Sequence, residues 1–209
     1  LNALMIVSGA FSIFRRTALI EVGGYCVDAV GEDMEIGLRM HRVFTDKKRA
    51  YRIVFVPDPI CWTRAPETLR GLGAQRRRWQ RGLADSLVRN RQLCMKQRYG
   101  RVGLVGYPFF SAGELLSPVV ELVGYAVIVA AILLGAVSWQ FSLGMLAIAL
   151  MLSAITTMTA LLLEARSFRR YSGQRSALIL AMCAVLEAFG YRQLHVFWRV
   201  RGLVDYLRR

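Results

Sequence analysis

The chain has 209 residues, of which 55% are hydrophobic, yet 28 Lys and Arg against 14 Asp and Glu leave a formal net charge of +14. An apolar excess together with a basic excess is unusual for a soluble domain and typical of a bilayer protein, because Lys and Arg gather beside the anionic cytoplasmic leaflet. No zinc-finger spacing, aromatic RNA-binding signature or Gly/Arg tract accompanies the charge, so we expect no nucleic-acid partner. The four cysteines form no C-x-x-C pair and therefore indicate neither a zinc site nor a disulfide framework.

The first hundred residues alternate in polarity and predict short elements. Residues 11–14 are an apolar run typical of a strand. Residues 16–22 indicate a helical turn that ends at the pair Gly23 and Gly24. Apolar side chains at helical spacing predict an amphipathic helix over residues 32–44. Its histidine, His41, stands between arginines and is expected at the surface rather than on a metal.

A second strand and a long helix are predicted next. Residues 52–56 form a β-branched run that Pro57 ends, as suits a strand that closes a sheet. Pro66 fits the first turn of a helix, because its missing N–H is not needed there. We therefore predict one interfacial helix over residues 66–90.

Residues 102–165 contain no Lys, Arg or His. Because about 20 apolar residues cross the hydrocarbon core, we predict an approach segment near the interface and then membrane spans over about residues 115–137 and 141–163. Glu121 falls inside the first span and is a candidate channel-lining residue, since an acid there usually faces protein or water.

A third apolar stretch, residues 177–191, is short for a span and contains Glu187. Basic residues flank it on both sides, and one crossing cannot place both sides in the cytoplasm. A re-entrant or membrane-associated helix is therefore favoured over a crossing, with a basic cytosolic tail after it. The sequence thus divides into residues 1–101, mixed in polarity, and a membrane region over residues 102–209.

Glu32 and Asp33 stand at the start of the helix predicted over residues 32–44. The free N–H groups and the dipole of a helix N-terminus favour negative charge, so helix capping alone explains the pair. A carboxylate in this place could also act as a general base that takes a proton from an attacking hydroxyl. The residues alone leave both roles open.

The run from Gln75 to Trp79 places a glutamine and a tryptophan on one helix face at i, i+4 spacing, with Arg78 beside them. A solvated basic helix on a membrane surface explains the arginines. Such a helix does not explain the pairing of Trp79 with Gln75, which suits stacking on a sugar and hydrogen bonding to it, while arginines donate to phosphate oxygens.

Four motifs follow one another in this order. They are Ser8-Gly9-Ala10-Phe11 with Phe14-Arg15-Arg16-Thr17-Ala18-Leu19, then Gly23-Gly24-Tyr25, Gly31-Glu32-Asp33 and Gln75-Arg76-Arg77-Arg78-Trp79. Followed by apolar spans, they resemble the second half of a family 2 processive membrane glycosyltransferase, the group of cellulose, hyaluronan, chitin and poly-N-acetylglucosamine synthases. The order is more specific than any single motif. The resemblance is strongest over residues 8–82 and only architectural beyond them.

The resemblance implies an α/β fold, a partial cytosolic GT-A domain over residues 1–101, before an α-helical membrane region. It implies an inverting transfer of a hexose or N-acetylhexosamine from a UDP-linked nucleotide sugar. Asp33 would be the general base, with Glu32 beside it in the catalytic pair. The residues that would bind acceptor and diphosphate are Gln75, Arg76, Arg78 and Trp79, and Arg15 is a further candidate for which a plain surface role is equally open.

Members of this family also hold the donor through a divalent metal, Mg²⁺ or Mn²⁺, at a D-x-D motif. No D-x-D occurs in this sequence. We therefore expect no metal ligand here, a D-x-D upstream in a longer protein, and no activity from this chain alone.

The expected protein is a multi-pass enzyme of the plasma (bacterial inner) membrane with its catalytic part in the cytosol. Its partners would be the nucleotide sugar, a polysaccharide or lipid acceptor, and the bilayer. Two alternatives remain open at this point: a non-processive transferase that acts on a lipid, and a non-catalytic receptor or assembly subunit with a degenerate transferase domain.

Overall fold

The computed structural model describes residues 3–7, 9–56, 61–168, 179, 182–183, 186–187 and 190–208. Its helices are α1 (Arg16–Glu21), α2 (Glu32–Asp46), α3 (Leu69–Arg89), α4 (Ser117–Leu133), α5 (Trp139–Phe168) and α6 (Tyr191–Leu207). Short 3-10 turns (Arg91–Leu93, Gln97–Tyr99) and π-helical segments (Val102–Gly106, Phe109–Leu115) lie between α3 and α4. Two compact units are present, Leu1–Pro118 with Trp198–Arg209, and Val119–Phe197.

The first two predicted helices are confirmed. Helix α1 ends at Glu21, and the chain then turns through Gly23 and Gly24, whose φ values of 89° and 71° suit residues without a side chain. Helix α2 begins at Glu32, as the carboxylate pair indicated, and continues to Asp46.

The predicted start of the third helix is wrong by three residues. Helix α3 begins at Leu69 rather than at Pro66, because Thr68 supplies the cap: its hydroxyl accepts a hydrogen bond from the Gly71 N–H at 3.1 Å. Pro66 precedes the helix. The end of α3 at Arg89 agrees with the prediction.

The two predicted strands are wrong. Residues 12–14 and 52–56 are irregular, and the described part of the chain contains no strand. A β-branched or apolar run becomes a strand only where it joins a ladder of neighbouring strands, so its β propensity does not decide its structure alone. The α/β part of the predicted fold class is therefore not shown by the described residues.

The first unit has two apolar clusters, and α2 contributes to both. One cluster contains Met5, Leu38, Leu83, Leu87, Leu93, Tyr99, Val102 and Tyr107. The other contains Val22, Ile36, Met40 and Phe44. Each fully buried Leu, Ile or Met contributes about 1.5–3 kcal/mol relative to an exposed one, so opposite sides of α2 are both fixed by burial.

His41 is buried, which corrects the expectation that it lies at the surface. Its Nε2 lies 2.8 Å from the carbonyl oxygen of Leu4 and its Nδ1 lies 2.7 Å from the Tyr51 hydroxyl. A carbonyl can only accept, so Nε2 carries the proton and Nδ1 accepts from Tyr51. Burial lowers the pKa of His41. The residue is a core histidine.

Two long apolar helical segments follow the first hundred residues. Val102–Leu133 and Trp139–Leu163 are long and apolar enough to cross a membrane by length and composition. Helix α4 ends at Leu133, before the end predicted for the first span, and Gly135 follows with a φ of 67°. The stretch predicted over residues 177–191 lies mostly outside the described residues. The division at residue 101 stays a prediction.

Glu121 has its charge paired inside the second unit. Arg192 donates from Nε to Oε1 at 2.6 Å and from Nη2 to Oε2 at 3.2 Å, and its Nη1 donates to the Ser153 hydroxyl at 3.1 Å. The Tyr125 hydroxyl also donates to Glu121. A buried acid in an apolar helix is costly unless paired, and this fork of hydrogen bonds supplies the partner. A channel-lining role stays a prediction.

Candidate functional site

An open cleft of about 350 Å³ lies at the N-terminus of α2. It is lined by Val7, Gly9, Ala10, Phe11, Ser12, Phe14, Tyr25, Glu32 and Asp33. The predicted catalytic pair therefore faces a space that a ligand could enter. The other predicted site residues, Arg15 and those of the motif on α3, are not part of this lining.

Asp33 is held in the cleft by contacts on both carboxylate oxygens. Its Oδ1 accepts the N–H of Met34 at 2.9 Å. Its Oδ2 lies so close to Gly9 that a Cβ at position 9 would be 2.4 Å from it. The cap residue of the helix is Gly31, which has no side chain to bond the first turn. Asp33 is thus half-buried, with one oxygen bonded to a first-turn N–H of α2 and the other beside Gly9, while Glu32 is exposed.

Helix α3 packs directly on the loop that leads to Asp33. A Cβ on Gly82 would lie 3.2 Å from the Cα of Gly31, so the two backbones approach closely because both residues are glycine. The Ser86 hydroxyl donates to the Gly31 carbonyl at 3.3 Å. Asp85 accepts the N–H of Val30 at 3.2 Å. These contacts fix the position of α3 relative to the start of α2.

The motif on α3 shares the helix face that makes this contact. Gln75, Arg78 and Trp79 precede Gly82 by seven, four and three residues, which places them on one stripe of the helix. At about 1.5 Å per residue, Trp79 and Arg78 lie about 4.5 and 6 Å from Gly82 along the axis. The stripe that carries the motif thus also carries Gly82, which contacts the loop before Asp33, and an approach of the motif residues themselves to Asp33 stays a prediction.

Trp79 has one ring face covered. The Arg76 guanidinium lies 4.7 Å from the centre of its ring, a cation–π contact. The side chain remains 42% exposed, and Arg78 beside it is exposed as well. Trp79 can thus offer its other face to a ligand, with Arg76 held behind it.

Arg77, in the middle of the motif on α3, binds α3 to α6. Its Nε and Nη2 donate to Oδ2 of Asp205 on α6 at 3.1 and 2.5 Å. These hydrogen bonds from Arg77 lower the pKa of Asp205. A Cβ on Gly202 would lie 2.7 Å from the Arg77 carbonyl oxygen, so α6 and α3 touch at their backbones. Arg77 is a packing residue of the α3–α6 contact.

Gln80 and Arg199 extend this contact. Arg199 donates from Nε to Gln80 Oε1 at 2.8 Å and from Nη2 to the Glu114 carboxylate at 3.1 Å. Gln80 donates in turn to the Leu115 carbonyl at 2.9 Å. Helix α3 is thus held on separate faces by the loop before α2 and by α6. Arg15, by contrast, is the exposed residue before α1.

Sequence reasoning did not single out the residues that line the rest of the cleft or fasten α3. Phe14 and Tyr25 belong to two of the four motifs, but no local pattern in the sequence indicated that they line the same cleft as Asp33. Asp85 and Ser86 follow Gly82 by three and four residues, and this helical spacing was the signal that could have indicated a shared contact face.

Candidate metal ligands do not cluster among the described residues. No group of three or more His, Cys, Asp and Glu side chains converges within the described ranges. The cleft offers two adjacent carboxylates, and one oxygen of Asp33 already accepts a backbone N–H.

Comparison with known proteins places this geometry in context. The pattern of the family described as Glycosyl transferase family group 2 matches residues 2–187. The chain is similar to a poly-beta-1,6-N-acetyl-D-glucosamine synthase of Staphylococcus aureus (strain COL), with 35% identity over 97 residues, 46% of this chain and 22% of that protein. It is also similar to the synthase of the same name from Staphylococcus epidermidis, with 35% identity over 89 residues, 43% of this chain and 20% of that protein.

The matched part thus spans about a fifth of the length of these relatives, 22% and 20%. No solved structure matches the chain. The family pattern covers most of the sequence and includes the cleft, the Glu32–Asp33 pair and the motif on α3. The chain therefore belongs to glycosyl transferase family group 2.

Proposed function

We propose that this chain forms the acceptor side of the catalytic domain of an inverting polysaccharide synthase, which transfers a sugar from a UDP-linked nucleotide sugar at a membrane. The observation that carries the proposal is the Asp33 carboxylate, oriented in an open cleft by Met34 and Gly9. Family membership supports sugar transfer. The names of the relatives support N-acetylglucosamine as the sugar to test first.

Asp33 acts as the general base in this proposal. One carboxylate oxygen accepts the proton of the acceptor hydroxyl while the hydroxyl oxygen attacks the anomeric carbon of the donor. The bond to the diphosphate breaks on the opposite face and its electron pair leaves with the nucleoside diphosphate, which inverts the anomeric centre. The N-terminus of α2 favours the negative charge that the base requires.

The stripe on α3 binds the substrates. Trp79 stacks its open face on the acceptor sugar, and Gln75 hydrogen-bonds to that sugar. Arg78 is exposed and suits the donor diphosphate, because a guanidinium binds phosphate oxygens in a two-point fashion. Arg76, stacked on Trp79, adds positive charge at the same place. Arg15 is a further acceptor contact.

The remainder of the enzyme completes the donor site. In this proposal the longer protein contains an α/β GT-A domain with a D-x-D motif that holds Mg²⁺ or Mn²⁺ and the nucleotide. The described residues supply neither the sheet nor this motif. Helices α4 and α5 anchor the enzyme as spans of a multi-pass protein, with the cleft in the cytosol of the producing bacterium. Their length and apolar composition support this placement.

The test is Asp33→Asn in the full-length enzyme, reconstituted in lipid vesicles and supplied with UDP-N-acetylglucosamine. We expect the transfer rate to fall by about 100-fold or more, as loss of a general base does. Asp46→Asn is the matched control, since it removes the same charge from the exposed far end of α2. Transfer by folded Asp33→Asn at the rate of the Asp46→Asn control would overturn the proposal.

A further inference from the structure

We propose that Tyr25 is a further acceptor-binding residue of this cleft and that Arg39 is the positioning residue that holds it there. The inference rests on the proposed function, because it assigns a sugar to the cleft of Asp33. It gives a role to the Gly23-Gly24-Tyr25 motif.

Tyr25 presents an accessible aromatic ring in the cleft that contains Asp33. The residue is 47% exposed although it lines the cleft. Phe14, also in the lining, packs against it in an edge-to-face arrangement, with ring centres 6.2 Å apart and planes at 90°. An open aromatic face suits the apolar C–H face of a sugar ring. Because the base lies in the same cleft, the sugar that Tyr25 meets is the acceptor.

Arg39 fixes the turn that carries Tyr25. Its Nη1 donates to the Val22 carbonyl at 2.9 Å and its Nη2 donates to the Gly24 carbonyl at 2.7 Å. Gly23 and Gly24 both have positive φ, so the turn that Arg39 bonds is one that residues with side chains rarely adopt. The planar fork of an arginine can serve two acceptors at once, whereas a lysine ammonium offers a single point of charge.

Arg39 is largely buried and lies on α2, the same helix as Asp33. Glu35 pairs with Arg39 at 2.8 Å, and the two side chains are only 5% and 14% exposed. Asn90, the residue that follows α3, donates to Glu35 at 3.4 Å. Helix α2 thus carries both the base, in its first turn, and the arginine that holds the aromatic wall of the cleft. Since Arg39 is buried, it acts through the turn and not on the substrate.

The test uses the full-length enzyme with UDP-N-acetylglucosamine and a short soluble β-1,6-linked N-acetylglucosamine oligosaccharide as acceptor. For Tyr25→Ala we expect the acceptor KM to rise about 3–10-fold, as loss of an aromatic stacking contact does. Tyr25→Phe keeps the ring and should stay within about twofold of wild type. Hydrolysis of the nucleotide sugar without acceptor should not change, because water makes no stacking contact.

Arg39→Lys tests the positioning role. We expect a similar rise in acceptor KM, and no further rise when Arg39→Lys is combined with Tyr25→Ala, because Arg39 acts through Tyr25. A merely structural arginine would give additive losses and would lower hydrolysis as well. Glu35→Gln, which weakens the hold on Arg39, provides a second variant and should raise the acceptor KM about twofold.

The outcomes separate this inference from the proposed function. An unchanged acceptor KM in folded Tyr25→Ala, with transfer lost in Asp33→Asn, would overturn the role of Tyr25 and leave the proposed function standing. Additive effects of the two variants, or an unchanged KM in both Arg39→Lys and Glu35→Gln, would overturn the role of Arg39. Full transfer by Asp33→Asn would remove the proposed function itself, whatever Tyr25 does.

Discussion

The two compact units differ in what surrounds their glycines. In the first unit, a Cβ would come within 3.0 Å of another atom at several positions: Gly9, Gly37, Gly73, Gly103, Gly106 and Gly202. In the second unit, a Cβ on Gly124, Gly135, Gly144 or Gly190 would meet nothing within 4 Å among the described residues. At these positions the first unit uses glycine to bring backbones and side chains into contact, whereas the four glycines of the second unit have open space where a side chain would be.

This difference indicates how strongly each unit depends on close packing. Contacts at backbone distance leave little freedom, so the loop before Asp33, α3 and α6 hold the candidate site in one geometry. Helices α4 and α5 keep most of their large apolar side chains exposed, as suits helices that face lipid or further protein. Activity should therefore respond to small changes in the first unit and tolerate them in the second.

The largest expected effect is that of Gly9→Ala. The new Cβ would lie 2.4 Å from Asp33 Oδ2, so the carboxylate must move, and a shift of about 1 Å at a reacting group can cost about 100-fold in rate. Sugar transfer by the full-length enzyme is the measurement. Gly124→Ala, at an open position of α4, is the control and should transfer sugar normally. Equal transfer rates for the two variants would show that the geometry at Gly9 does not control Asp33.

Gly202→Ala should have the second-largest effect, because it should lower the stability of the folded protein. A Cβ there would lie 2.7 Å from the carbonyl oxygen and 3.0 Å from the Cα of Arg77, and crowding of this kind costs about 1–3 kcal/mol. Gly144→Ala has open space and should be neutral or stabilise by up to about 1 kcal/mol through helix propensity. Thermal unfolding of the solubilised protein, followed by tryptophan fluorescence, measures both. A destabilisation of the same size at both positions would contradict the account.

A smaller effect is expected from His41. Its pKa is lowered in the folded protein by burial, so the unfolded chain binds the proton more readily. The stability that the neutral ring contributes is therefore present above about pH 6.5 and is lost as the pH falls through the folded pKa. Unfolding midpoints between pH 8 and pH 5 measure this, with His41→Gln as control. A variant that loses stability with acid as steeply as wild type would rule His41 out.

The smallest effect is expected from an exposed ion pair of the first unit. Arg64 and Glu67 form an ion pair at 2.6 Å, but their side chains are 84% and 69% exposed. Exposed pairs contribute about 0–1 kcal/mol, so Glu67→Gln should shift the unfolding midpoint by less than Gly202→Ala does. A larger loss would mean that the exposed segment before α3 also holds the site.

The parts of the fold that were predicted from the sequence are those set by local signals. The glycine pair ends α1, and the apolar period and carboxylates define the start of α2. The start of α3 was missed because Thr68, and not the proline upstream, makes the capping hydrogen bond. The expected strands were missed because a strand depends on partners that a propensity does not supply.

The candidate site was predicted in the same uneven way. The motif order singled out Asp33, which lines the cleft, and the stripe on α3, whose Gly82 contacts the loop before Asp33, but the roles of these residues stay predictions. The burial of His41 depends on Leu4 and Tyr51, which no helical period reveals. Tyr25 depends on the fold in the same way, since it faces the cleft on a turn that Arg39 holds from another helix.

The most direct test is a structure of the full-length enzyme with an acceptor oligosaccharide bound. If Asp33 is the base, the reacting hydroxyl oxygen should lie about 2.6–3.2 Å from a carboxylate oxygen of Asp33, or be linked to it by one water. An acceptor whose reacting hydroxyl points to another carboxylate, with Asp33 out of reach, would contradict the account.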